Sequence, residues 1–120
     1  MSKKTVVIGV SSKDDRYSNK AVRLLIKNGH EVVALGFESA NVGDTPILVD
    51  WGQYTAIDTI SLYLNPERQK AYYDFILGLH PKRIIFNPGT ENPELEQLAL
   101  RNNIQPLEAC TLVLLNTGQY

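Results

Sequence analysis

The chain has 120 residues, a formal net charge of −1 and 43% apolar residues, which predicts one domain, residues 1–120, and gives no electrostatic footprint for nucleic acid or anionic membrane. No apolar run approaches the roughly 20 residues that a membrane-spanning helix needs, and the start Met-Ser-Lys-Lys lacks the length and cleavage site of a secretory signal. The lone Cys110 excludes an internal disulfide and fits a reducing cytoplasm, the expected location.

Thr5-Val6-Val7-Ile8 is a β-branched apolar run closed by Gly9, the pattern of a buried strand. A polar loop follows, and then a helix that Ser18 or Asn19 can cap and Asn28-Gly29 can close. Ala21, Val22, Leu25 and Ile26 fall on its apolar face. Residues 31–37 return as a second strand, residues 40–46 form a Gly/Asp/Pro-bearing loop, and Ile47-Leu48-Val49 is a short third strand. Residues 59–64 supply a fourth. Asn65-Pro66-Glu67 then opens a helix that reaches about Leu79, with Tyr72, Phe75, Ile76 and Leu79 inward. Residues 82–86 are a fifth strand, and Asn92-Pro93-Glu94 opens a helix to about Asn102 with Leu95, Leu98 and Ala99 inward.

The two Asn-Pro-Glu junctions share one logic. Asn caps, Pro sits where a missing N–H costs nothing, and Glu meets the helix dipole. Residues 104–115 supply a last strand and a short helical turn. Nearly continuous apolar strands alternating with helices predict a Rossmann-like, doubly wound α/β fold. About five parallel strands are expected in the order 3-2-1-4-5, with helices on both faces.

In such a sheet the loops after the first, fourth and fifth strands share one edge. Gly9 lets a ligand or a helix approach the backbone there. Ser11, Ser12 and Ser18 add hydroxyls, and Arg16 adds a guanidinium suited to a pyrophosphate at a helix start. Gly9 stands alone rather than in G-x-G-x-x-G, against a dehydrogenase-type dinucleotide site, although Glu38 past the second strand could hold ribose hydroxyls. His30 and His80 are expected away from this edge. No metal-ligand spacing or nucleophile–base pair is readable, so no catalytic or metal residues are expected.

Val7-Ile8-Gly9-Val10-Ser11, Arg16-Tyr17-Ser18 and Gly29-His30-Glu31-Val32 together resemble the opening of the small stand-alone CoA-binding proteins. Their fold matches the CoA-binding domain of the succinyl-CoA synthetase α subunit. The likeness continues through Leu62-Tyr63-Leu64-Asn65-Pro66 and Phe86-Asn87-Pro88-Gly89 to Glu108-Ala109-Cys110. Where the family carries V-N-P after the second strand, Leu35-Gly36-Phe37 stands here. Leu64 and Ala109 replace two of its arginines.

The resemblance implies non-catalytic binding of CoA, an acyl-CoA or a related adenine nucleotide as the small-molecule partner. Pyrophosphate would face Gly9, Val10, Ser11, Ser12, Arg16 and Ser18. Adenine would lie near Phe37, Tyr63, Leu64 and Asn65, and pantetheine would run toward Asn87, Pro88 and Gly89. Two alternatives stay open. One is a subunit of an acyl-CoA ligase whose catalytic group lies on another chain; the other is an NAD-sensing module using Glu38.

Overall fold

A computed structural model describes residues 2–120. Seven strands form one sheet: β1 (Thr5–Ile8), β2 (Val32–Leu35), β3 (Ala40–Val42), β4 (Thr45–Leu48), β5 (Thr59–Leu62), β6 (Arg83–Phe86) and β7 (Gln105–Glu108). The helices are α1 (Tyr17–Lys27), α2 (Pro66–Gln69), α3 (Tyr73–Gly78), α4 (Pro93–Arg101) and α5 (Thr111–Asn116).

The strand order is β3-β4-β2-β1-β5-β6-β7, all parallel except for the β3–β4 pair. This corrects the expected five-strand 3-2-1-4-5 arrangement. The segment expected to be a loop at 40–46 folds back as a hairpin, with Val42 opposite Thr45 across Gly43-Asp44 and Gly43 at φ +58°. A Gly-Asp pair between short strands is a two-residue hairpin signal, weaker here because only three residues precede it. At the other edge, β7 joins β6 in register from Arg83–Gln105 to Phe86–Glu108.

Alternation along β1 divides the interior. Val6 and Ile8 pack with Ile60, Leu62, Ile76, Ile84, Phe86, Leu95 and Ala99 beneath α3 and α4. Val7 packs with Val22, Leu25, Ala34 and Leu115 beneath α1 and α5. Both faces are therefore covered, as near-continuous apolar strands require. A fully buried side chain such as Ile8 stabilises the fold by about 1.5–3 kcal/mol.

Two local expectations change. Ile26 lies on the flank of α1 and is 45% exposed, because Ser18, Ala21, Val22 and Leu25 already fill the i, i+3, i+4, i+7 stripe. The helix expected from Asn65 to Leu79 breaks into α2, a 3-10 turn at Lys70–Tyr72, and α3. At the break Tyr72 has φ −119° and ψ 9°, and the rings of Tyr72 and Phe75 both reach Trp51, at 4.5 Å and 5.2 Å. The last segment holds the expected strand and short helix: β7 is four residues long with Pro106 inside it, and α5 follows. Among the described residues no helix is long and apolar enough to cross a membrane.

Candidate functional site at the carboxyl edge of the sheet

The parallel strands deliver the loops after β1, β2, β5 and β6 to one edge. The first of these is clamped between its neighbours. The N–H groups of Gly9 and Val10 both donate to the Leu35 carbonyl at 2.9 Å, fastening the loop to the end of β2. Gly9 sits at φ +92°, and a Cβ there would stand 3.0 Å from the Tyr63 carbonyl oxygen. At Gly36 a Cβ would stand 2.6 Å from the Val10 oxygen and 2.7 Å from Ile47 Cγ2. Both positions need glycine because the backbone is approached too closely for any side chain.

Ser18 and Asn19 do not cap α1. Both are buried within its first turn and brace the loop instead. The Ser18 hydroxyl accepts from the Ser11 N–H at 3.0 Å, and Asn19 Nδ2 donates to the Ser11 carbonyl at 2.9 Å. Asn19 Oδ1 accepts from Arg23 Nε at 2.8 Å, and the Arg23 guanidinium also donates to the Asp14 carbonyl at 2.8 Å. Arg16 itself precedes the first helical residue, exposed, and no side chain caps the start of α1. The first turn holds no acidic residue either. Its N–H groups and positive dipole end therefore face the loop without an anionic partner.

Beside this loop, Ser12 Oγ donates to Glu38 Oε1 at 2.7 Å. That bond, with the Ser12 backbone and Lys13 adding to it, holds the Glu38 carboxyl below its ordinary range. Phe37 is 46% exposed, with the Arg68 guanidinium 4.3 Å from its ring centroid and Trp51 at 5.5 Å. Trp51 Nε1 donates to the Gly36 carbonyl at 3.1 Å and fixes this aromatic group to the end of β2.

The other expected residues divide by burial. Val10 and Leu64 are enclosed in the two cores, and Asn65 spends its side chain capping α2 by accepting from the Arg68 N–H at 2.9 Å. Tyr63 packs on the α1–α5 face, away from Phe37, with its hydroxyl buried and unpartnered; burial pushes it above the usual phenol range. Asn87 is 1% exposed. Its Nδ2 donates to Ser61 Oγ and to the Leu62 carbonyl at 3.0 Å, and its Oδ1 accepts from the Thr111 N–H at 2.8 Å. Its side chain ties β5 and β6 to α5, leaving Pro88 and Gly89 exposed on that loop.

Sequence reasoning missed the group that stiffens this half of the edge. Gln69 is fully buried and donates to the carbonyls of Leu64 and Thr90, both at 2.8 Å, while Asn92 Nδ2 donates to Gln69 Oε1 at 2.8 Å. A glutamine inside a polar Glu-Arg-Gln-Lys run carries no local sign of burial.

Both histidines lie at the opposite, amino edge. His30 Nδ1 accepts from the Lys3 N–H at 2.9 Å, and its ring centroid is 4.9 Å from that of Tyr120. A cleft of about 1150 Å³ also lies there, lined by Lys4, Tyr54, Asp58, His80 and Lys82 among others. Four of its charged residues are already paired, Lys4 with Glu31 at 3.6 Å and Lys82 with Asp58 at 3.7 Å. Ligands of open parallel sheets bind beyond the carboxyl ends of the strands, so size alone does not make this cleft the site.

A mostly parallel sheet covered on both faces, with a clamped glycine loop running into an uncapped helix, is the doubly wound, Rossmann-like α/β architecture. Residues 3–116 match the model of the CoA-binding domain family, and the chain belongs to that family. A crystal structure of an uncharacterized protein is similar over 100% of this chain and 99% of its own, at 40% identity and a TM-score of 0.97. A Thermus thermophilus structure, cell-free ID.343, aligns over 99% of this chain and 91% of its own at 16% identity and a TM-score of 0.84. A hypothetical protein from Pyrococcus horikoshii OT3 aligns over 93% and 80% at 20% identity and a TM-score of 0.80. These two likenesses carry the fold alone. No curated protein is significantly similar to the chain.

Proposed function

We propose that this protein binds CoA, an acyl-CoA or a related adenine nucleotide in the cytoplasm, and holds it without transforming it. The match of residues 3–116 to the CoA-binding domain family carries this reading. The local chemistry supports it. A pyrophosphate against residues 9–12 would meet the N–H groups of the α1 first turn and the Arg16 guanidinium, which has the reach to approach it from the exposed side. The adenosine end would lie toward Phe37 and Arg68, and a pantetheine arm toward Pro88 and Gly89. Val10, Leu64 and Asn87 would shape the site from below rather than touch ligand with their side chains. Bound CoA would bring a thiol that carries acyl groups as thioesters. The site's own residues bind and orient.

A holding role is favoured by where the imidazoles and the buried hydroxyls lie. Both imidazoles are on the far edge, and the buried Asn87, Ser61 and Thr111 are satisfied by one another. The net charge of −1 supports a small-molecule partner over nucleic acid or a membrane. Native mass spectrometry of the protein from its own cells, and of purified protein given CoA, tests the reading. A one-to-one adduct of CoA, acyl-CoA or another adenine-nucleotide mass is expected. Folded protein that takes up none of these ligands, even at millimolar concentration, would overturn it.

A further inference from the structure

We infer that Glu38 sets the ligand class, selecting an adenine nucleotide with both ribose hydroxyls free over one bearing a ribose phosphate. This rests on the nucleotide-binding reading above and narrows it. β2 runs beside β1 in register, Val7 with Ala34 and Ile8 with Leu35, so the segments leaving the two strands emerge side by side. Gly36 keeps them in van der Waals contact, and the Glu38 carboxylate spans the remaining gap to Ser12 at 2.7 Å. A carboxylate is thus fixed on the rim of the phosphate-facing loop, at the end of the second strand. That is where an acidic side chain can accept from ribose hydroxyls.

The carboxylate has acceptor capacity to spare. Two oxygens offer about four lone-pair positions, and the Ser12 hydroxyl and backbone N–H occupy two of them. Its charge is also uncompensated: the ion pairs among the described residues are Lys4–Glu31, Lys70–Glu67 and Lys82–Asp58, none of which includes Glu38. Arg68, the guanidinium of the neighbouring aromatic group, lies over Phe37. Lys13 is exposed and adds its charge without forming an ion pair with Glu38. A hydroxyl pair would gain charge-assisted hydrogen bonds here, whereas a ribose phosphate would meet a like charge in water-exposed surroundings. Repulsion of that kind weakens binding by about 5- to 30-fold.

Calorimetry with CoA and 3′-dephospho-CoA, which differ only in the ribose phosphate, tests this on wild type and on Glu38→Gln. Wild type should bind dephospho-CoA about 5- to 30-fold more tightly, and the preference should shrink at high salt. Glu38→Gln should bring the two affinities within about twofold, chiefly by improving CoA. Wild type binding CoA as tightly as dephospho-CoA, or an unchanged preference in Glu38→Gln, overturns the inference and leaves the nucleotide reading intact. No heat with either ligand, nor with NAD or AMP, from protein shown folded by circular dichroism, overturns the nucleotide reading and this inference with it.

Discussion

The helices α1 and α4 begin in opposite ways. At α4, Asn92 caps the first turn by accepting from the N–H groups of Glu94 and Leu95, Pro93 removes one orphan donor, and Glu94 and Glu96 answer the dipole. At α1 the residues able to cap have been moved inside to brace the loop, no acid enters the first turn, and a basic residue, Arg16, holds the capping position. One start is satisfied from within; the other is left for a partner. An uncapped helix start forgoes about 1 kcal/mol, and on the proposed reading the difference marks where stability has been exchanged for an anion-accepting surface.

Asn92→Ala tests the closed start most severely. It removes the cap, about 1 kcal/mol, and strands the buried Gln69 Oε1, a further 1–3 kcal/mol or so. Denaturant unfolding should show a loss of about 3 kcal/mol, with the melting temperature about 10 °C lower. Asn65→Ala, a cap on an exposed residue, should cost only about 1 kcal/mol. Equal losses at the two sites would mean that the buried network contributes nothing beyond capping.

The open start depends on its clamp. In Gly36→Ala the new methyl would stand 2.6 Å from the Val10 oxygen and push the first loop off β2. Overpacking of this kind costs about 1–3 kcal/mol, read by thermal melts, and CoA binding should weaken along with stability. A variant as stable as wild type would show that the loop is not held in place there. Arg16→Ala should separate the two properties. Unfolding free energy should stay within about 0.5 kcal/mol, while affinity for CoA falls about 5- to 150-fold by calorimetry. Lost stability with unchanged affinity would reverse the contrast drawn here.

Sequence pattern located the inner strands and both Asn-Pro-Glu junctions because burial and capping write themselves into neighbouring residues. It misread Ser18 and Asn19, since hydroxyl and amide groups at a helix start suit a cap and a brace equally well, and only the fold decides which N–H they meet. It grouped Tyr63 and Leu64 with Phe37 because consecutive residues at a strand end look adjacent. The two-residue alternation of the strand sends Tyr63 to the α1–α5 face and Leu64 into the opposite core. The hairpin at β3–β4 left only the Gly43-Asp44 turn as a trace, since a three-residue strand has no readable period, and the buried Gln69 left none, since its partners lie in other loops. The Ser12–Glu38 bridge joins residues 26 apart, a contact that only the parallel pairing of β1 and β2 creates.

The smallest expected effect lies at the closed start, which carries more acid than it needs. Burial, and then the carboxylate of Glu108 at the end of β7, push the Glu96 carboxyl above its ordinary range. A raised folded-state value means that the folded protein holds this proton more tightly than the unfolded chain does. The associated stability is therefore fully present below the unfolded value of about 4.3 and is lost as pH rises through the folded one. Near neutral pH the crowded pair is a net cost. Glu108→Gln removes the neighbouring charge, so stability at pH 7 should rise, by less than about 0.5 kcal/mol because water screens these partly exposed groups. Urea unfolding of wild type and variant at pH 4 and pH 7 checks the sign: the gain should appear at pH 7 and shrink at pH 4. A gain of equal size at both pH values would assign the effect to the packing of β7, and leave the acid-rich start of α4 without the electrostatic cost that α1 avoids.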